Sequence, residues 1–237
     1  MITSYGDIKK NYWSSGNKLF FRKKYMTESA TVGVKEVQQE VIPLPEPFYK
    51  SETSIEEALL KRKSVREYKD EPLELNEIAQ LLWAAQGITY TKLRRTTPSA
   101  GALYPLEIYL VSGNIKTIEP GIYSYQPADH ALTLIKKGDK RKQLSAAALM
   151  QEAPRMAPAT IVIAVDYHRT TRKYLKEGNK FVHMEAGHSA QNIYLQAVSL
   201  KLGVVCMGAF IGSIVKEILK LTKKQEPLYL IPVGIPQ

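Results

Sequence analysis

Cysteine is almost missing from this chain: Cys206 is the single one in 237 residues. An intramolecular disulfide is excluded, and the composition suits a reducing, cytoplasmic setting. Long apolar runs are also missing, with no stretch of about 18 such residues to cross a bilayer as a helix. The basic N-terminus lacks the apolar segment of a secretory signal. No HExxH or CxxC spacing occurs, and His183 and His188 diverge on a helix, which argues against a metal centre. Neither GxGxxG nor a P-loop is present, so the two commonest glycine-rich nucleotide sites have no footing.

Positive charge, by contrast, is in excess: 33 Lys and Arg against 23 Asp and Glu leave a net charge of +10. A surplus of this size invites a nucleic-acid reading. Its distribution argues against one. The segment 1–35 holds seven basic and two acidic residues, and a second run, Lys136, Lys137, Lys140, Arg141 and Lys142, surrounds a Gly-Asp turn. Neither is interleaved with aromatics as a base-stacking platform would be.

The length suits one good core. Residues 1–53 read as an N-terminal extension or arm, ending in the extended, Pro-rich approach Ile42-Pro43-Leu44-Pro45-Glu46-Pro47. Met26 is an alternative start within it. The domain proper is expected over 54–237, beginning at Ser54, an N-cap with Glu57 three residues on, for a helix through about Arg62. A second helix is predicted over 74–85, with Leu75, Ile78, Ala79, Leu82 and Trp83 on one face. Strands follow at 107–112, 121–125, 131–135 and 159–165, the middle two forming a hairpin. A helix over 140–150 precedes the fourth strand. The helix over 181–202, rich in small residues, is expected to be central and buried. A strand at 204–207, a helix at 213–221 and a last strand at 228–233 complete an α+β pattern, a mixed sheet with helices packed on it.

Several stretches carry chemistry. Arg62, Ser64 and Arg66 supply two guanidinium forks and a hydroxyl, a set that can converge on a phosphate; an exposed charged helix end would look the same. Pro98-Ser99-Ala100-Gly101-Ala102-Leu103-Tyr104-Pro105 puts small residues in a row between prolines, so a flat ligand could lie against backbone, and Arg94-Arg95-Thr96-Thr97 leads into it. At Cys206-Met207-Gly208-Ala209-Phe210, an apolar strand ends in small residues whose amides could face an atom that gains electron density. Cys206 itself, with no neighbouring base, reads as a small apolar residue rather than a nucleophile. Lys173-Tyr174 is an adjacent pair of potential proton-transfer groups, or simply part of a solvated basic loop.

Taken in order, RKSVREY (62–68), LLWAAQGIT (81–89), RRTTPSAGALYPLEIYLV (94–111), GIYSY (121–125), RKY (172–174), EAGHSAQNIYLQA (185–197), LGVVCMGAF (202–210) and PLYLIPVGIP (227–236) resemble the FMN-dependent nitroreductase family. PSAGALYPLE and EAGHSAQN point within it to the SagB-type dehydrogenases, which include azoline oxidases. The resemblance implies a nitroreductase-like α+β fold and a cytoplasmic homodimer with FMN at the subunit interface. Arg62, Ser64 and Arg66, joined by Arg95, would then hold the phosphate and ribityl chain, with Lys63 near the flavin pyrimidine. Pro98, Ser99, Ala100, Gly101 and Leu103 of the other subunit would pack on the ring, and Met207, Gly208 and Ala209 would bring backbone amides near N5 and O4. Lys173 and Tyr174 match a pair implicated in substrate proton removal in azoline oxidases.

The implied activity is hydride transfer through flavin N5, from NAD(P)H to nitroaromatic or quinone-type small molecules, or from an azoline-type substrate with oxygen as acceptor. A flavin-binding protein without turnover is a third expectation. The chain departs from the family in two ways: Ile235 stands where many members carry an Arg, and the extra peptide-binding region of azoline oxidases is missing.

Overall fold

A computed structural model describes residues 40–89 and 94–237; the basic segment 1–35 and Met26 lie outside the described residues. Seven strands make one sheet: β1 (Val41–Pro43), β2 (Leu106–Ser112), β3 (Gly121–Gln126), β4 (Ala131–Lys137), β5 (Ala159–Asp166), β6 (Gly203–Val204) and β7 (Gln225–Gly234). Their order across the sheet is β1-β4-β3-β2-β5-β7-β6. Each of these ladders is antiparallel. A parallel bridge from Ser64 to Val204 at the β6 edge adds the mixed element.

Among the described residues the helices are α1 (Ile55–Lys61), α2 (Leu75–Gln86), α3 (Arg141–Ala147), α4 (Ala153–Met156), α5 (Tyr167–Tyr174), α6 (Glu177–Ser199) and α7 (Gly212–Leu219), with a short 3₁₀ turn at Ala100–Ala102. Central strand β5 shows why the sheet lies in the middle. Its run Ala-Thr-Ile-Val-Ile-Ala-Val alternates faces at period two. Ile161, Ile163 and Val165 pack with Ile78, Leu82, Ala186 and Ile193 of α2 and α6. Val162 and Ala164 point the other way, against Leu144, Ala147, Val215 and Leu219 of α3 and α7. Burial on both faces explains why the strand reads as continuous rather than alternating hydrophobicity.

Most elements predicted from sequence are present with shifted ends. Ser54 caps α1 by accepting the Glu57 amide at 3.1 Å. The hairpin joins β3 to β4. Three predictions are corrected. The helix expected over 140–150 stops at Ala147, and Leu149 and Met150 turn left-handed at φ 59° and 63°; both are exposed, so no apolar face rewards another helical turn. The strand expected over 204–207 pairs only at Gly203–Val204, and Met207 rejoins the sheet through a separate bridge to Leu230. The central helix begins at Glu177 rather than Phe181 and ends at Ser199. The tail of the expected arm is woven into the sheet: Val41–Pro43 pairs with β4, Leu44 is buried, and Phe48 exchanges two 3.0 Å hydrogen bonds with Gln80.

Candidate functional site

Arg62 caps the C-terminus of α1, and its guanidinium lies over the Tyr194 ring of α6, 5.1 Å from the centroid. The Tyr194 hydroxyl is the junction of this region. It bonds the Ser64 hydroxyl at 2.8 Å and accepts the Cys206 amide at 3.0 Å. One tyrosine thus ties the 62–66 segment to the 206–209 turn. Lys63, Ser64 and Arg66 are exposed around it and Arg62 is half-buried. Burial pushes the Cys206 thiol up to about 12, against the Tyr194 hydrogen bond and the Arg62 charge. It remains a thiol, in keeping with its reading as a non-nucleophile. Met207 is buried and fixed by hydrogen bonds of 2.8 and 3.0 Å with Leu230. Gly208 and Ala209 then emerge at the surface, their amides without a hydrogen-bond partner among the described residues. A Cβ at Gly208 would meet nothing within 4 Å, so a flat molecule can approach those amides closely.

The small-residue loop is anchored before it begins. Helix α2 ends with unpaired carbonyls, as every helix does, and the residues before Pro98 supply the missing donors. The hydroxyl of Thr97 donates to Ala85 O at 2.7 Å, that of Thr96 donates to Trp83 O at 3.0 Å, and Ser189 of α6 donates to Ala85 O at 3.0 Å. Asn192 Nδ2 reaches both Ala84 O and Thr97 Oγ1 at 3.1 Å. Replacing Asn192 by Ala leaves a buried carbonyl and hydroxyl without their donor, so we expect a loss of about 2 kcal/mol. Urea denaturation checks this, and an unchanged midpoint would contradict it.

Beyond Pro98 the chain turns through Ala100–Ala102, with Gly101 at φ 63°. Lys173 and Tyr174, at the end of α5, stand directly over that glycine. A Cβ built on Gly101 would lie 2.8 Å from the Tyr174 hydroxyl and 2.9 Å from Lys173 Nζ. Two features hold α5 there. Arg169 donates to Tyr104 O at 3.0 Å and pairs with Glu107. Gly178 lets α6 start against the α5 backbone, since its Cβ would fall 2.8 Å from the Thr171 Cα. Tyr174 also packs edge-on against Phe181. The sequence-predicted pair and the sequence-predicted loop therefore form one cluster.

Arg95 belongs to this cluster rather than to the Arg62 region. It donates to Gln86 Oε1 at 2.9 Å and lies 4.6 Å over the Tyr104 ring. Behind it is Glu185 of α6, a residue that sequence reasoning did not single out. Glu185 is 3% exposed, and burial pushes its carboxyl up to about 7, opposed by Ser99, Arg95 and Gln86. Tyr194 was missed as well. Its signal was its place about one α6 turn beyond the small-residue stretch, on a helix whose partners cannot be read locally.

The two groups occupy different stretches of α6. From Glu185 to Tyr194 is about 13 Å along the axis at 1.5 Å per residue. Arg62, Ser64, Tyr194 and the Gly208 turn form one half, and the 98–104 loop with Lys173, Tyr174, Arg95 and Glu185 forms the other. Among the described residues, no group of His, Cys, Asp and Glu is arranged to hold a metal, and no helix is long and apolar enough to cross a membrane.

Comparison with known proteins adds independent information. The Nitroreductase family model matches residues 59–235. A nitroreductase-named protein of Methanocaldococcus jannaschii is 46% identical over 183 residues, covering 77% of this chain and 91% of its own. A solved structure from Ralstonia eutropha JMP134, also named as a nitroreductase, superposes with a TM-score of 0.72 at 30% identity, covering 90% of this chain and 96% of that one. A third, from Anabaena variabilis ATCC 29413, gives a TM-score of 0.75 at 29% identity over 84% of this chain. This chain spans only 42% of that protein's length.

Proposed function

This chain belongs to the nitroreductase family, and on that footing we propose that it is an FMN-dependent oxidoreductase acting on small molecules. The observation that carries the reading is the Tyr194 junction. It brings Arg62 and the Ser64 hydroxyl, with Lys63 and Arg66 exposed on the same segment, beside two unpartnered amides and the open face of Gly208. This donor set fits a flavin: cations and a hydroxyl for a phosphate, and amides with free approach for the edge of a flat ring. When bound, FMN would supply the hydride-accepting centre of the reaction.

The residues of the chain have separate tasks in this scheme. Arg62, Ser64 and Arg66 hold the phosphate end, with Lys63 toward the pyrimidine, while the amides of Gly208 and Ala209 stabilise negative charge at the ring edge. Ile235 brings an apolar side chain and no cation, so the 62–66 cluster carries the phosphate. Arg95, engaged with Gln86 and Tyr104, leaves the phosphate to that cluster. The loop Pro98, Ser99, Ala100, Gly101 and Leu103 covers the ring of a partner subunit's flavin. A homodimer is supported by the separation of the two half-sites along α6 and by Ile55, Leu59 and Leu60 standing exposed on α1. NAD(P)H as donor and nitroaromatics or quinones as acceptors are the leading substrates.

The position of Lys173 and Tyr174 over Gly101 favours a second reading, an azoline-type dehydrogenase of the SagB-type branch with oxygen as acceptor. There Lys173 would take the substrate proton and Tyr174 would orient it.

The first test is the absorbance spectrum of the purified protein and the mass of any released chromophore. A colourless protein that takes up no added FMN would sink the proposal. Arg66→Ala and Arg62→Ala should each weaken FMN binding by about tenfold or more, the worth of one charge-assisted hydrogen bond, read by flavin fluorescence. Anaerobic mixing with NADH or NADPH separates the two readings: bleaching supports the nitroreductase, and a flavin that stays oxidised favours the dehydrogenase. In the latter case Lys173→Ala should abolish turnover of the oxidisable substrate.

A further inference from the structure

Glu185 has no task in the scheme above, yet its surroundings are specific. Its carboxyl lies in the wall of a cavity of about 280 Å³ shared with Pro98, Ser99, Ala100, Phe181 and His188. The Ser99 hydroxyl lines the same cavity and favours the charged carboxyl, while Oε1 is fully buried with no hydrogen-bond partner among the described residues. Gln86 faces the same carboxyl, and its buried Nε2 also lacks a partner in hydrogen-bond geometry. Ser99 Oγ, in turn, accepts the Tyr104 amide at 2.9 Å, the bond that closes the small-residue loop. The hydroxyl that shapes the loop is thus the one that Glu185 addresses.

We propose that Glu185 is a positioning residue whose proton decides where the Ser99 hydroxyl points, and so whether that hydroxyl is free to meet a ligand lying over the 98–101 loop. The ligand part rests on the reading that this loop covers a flavin ring. With its proton, the carboxyl donates to Ser99 Oγ, which accepts that bond together with the Tyr104 amide, and the hydrogen of Ser99 is left for the ligand. Without it, the carboxylate can only accept, and Ser99 must turn its hydrogen back toward Glu185. The proton exchanges with solvent and no covalent bond changes.

The charged and titratable groups around Glu185 come from four elements. Arg95 faces it from the loop approach, and Tyr104 of the same loop, Glu107 of β2 and Arg169 of α5 act on Arg95. His188 shares the cavity from the next turn of α6, and Lys173 and Tyr174 stand at Gly101. The cations favour the ionised carboxyl and the burial opposes it. Burial prevails, placing the change close to neutral pH.

The test uses the full-length protein without added flavin. Backbone amide resonances of Tyr104 and Gly101, followed by NMR from pH 5.5 to 8.5, should share one titration near pH 7. That titration should vanish in Glu185→Gln and persist in His188→Asn. A flat wild-type profile, or the same titration in Glu185→Gln, overturns the proposal. FMN affinity should then fall about three- to tenfold between pH 6 and 8.5, the worth of one hydrogen bond, and become independent of pH in Ser99→Ala. FMN binding with a pH-independent affinity in the wild type also overturns it. Absence of FMN binding at every pH, with the amide titration intact, defeats the flavin reading while upholding the control of Ser99 by Glu185.

Discussion

Replacing Gly101 by valine is expected to cost about 3 kcal/mol of stability and to remove any activity that depends on Lys173 and Tyr174. Two effects add. A β-branched residue held at the φ of 63° found here is strained by about 1–2 kcal/mol. Its side chain must also occupy space taken by the Tyr174 hydroxyl and Lys173 Nζ, at 2.8 and 2.9 Å from the new Cβ; overpacking of this kind costs about 1–3 kcal/mol. The second effect is the functional one, since both side chains would have to leave the loop. Left-handed backbone alone does not forbid a side chain here, because Ala102 and Tyr104 already sit at φ 54° and 47°. Gly101→Ala brings the same Cβ against those two side-chain tips but without the γ-branches, and should cost less, about 1–2 kcal/mol. Equilibrium denaturation compares the two, and a valine variant with the wild-type midpoint would show that Lys173 and Tyr174 do not crowd Gly101 in solution.

Stability should decline as pH rises from about 4.5 to about 7, and Glu185 should be a principal cause. Its carboxyl titrates at about 7 in the folded protein against an ordinary value of 4.5. Between these values the folded chain binds a proton that the unfolded chain has lost, so stability falls with increasing pH. The effect is absent below pH 4.5, where both states are protonated, and complete above about 7. A difference of this size corresponds to about 3 kcal/mol. Glu185→Gln, which cannot ionise, isolates it: the variant's advantage over wild type should grow between pH 5 and 8 in denaturation experiments. Parallel pH profiles for the two proteins would show that the carboxyl is not buried as an acid.

The candidate site was legible in unequal parts. Arg62, Ser64 and Arg66 were visible because residue type and close spacing suffice to suggest an anion site, and the Pro98 loop because consecutive small residues are rare between prolines. Gly208 and Ala209 were legible as the end of an apolar strand. Arg95 was grouped with the phosphate, whereas its guanidinium is held by Gln86 and Tyr104. Tyr194 and Glu185 escaped notice for a common reason: both sit on a helix with small and polar residues around it, where no local pattern says which side chain meets which neighbour. The helix predicted over 140–150 ran too long for a related reason. Its propensity is good, but Leu149 and Met150 have nothing to pack on.

What the sequence by itself determined is local in origin: the α+β class, most strands of the sheet as apolar runs between turns, the capped helix at Ser54, and the residue types able to hold an anion, approach a flat ring or move a proton. Only the tertiary structure decided which of these meet. Ser64 reaches Tyr194, Tyr194 reaches Cys206, Gly101 lies under Lys173 and Tyr174, and Glu185 is buried in a cavity wall that it shares with Ser99. Each of these contacts depends on how α6 lies against the sheet and α2. That placement comes from the summed packing of the whole core, and no short stretch of sequence contains it.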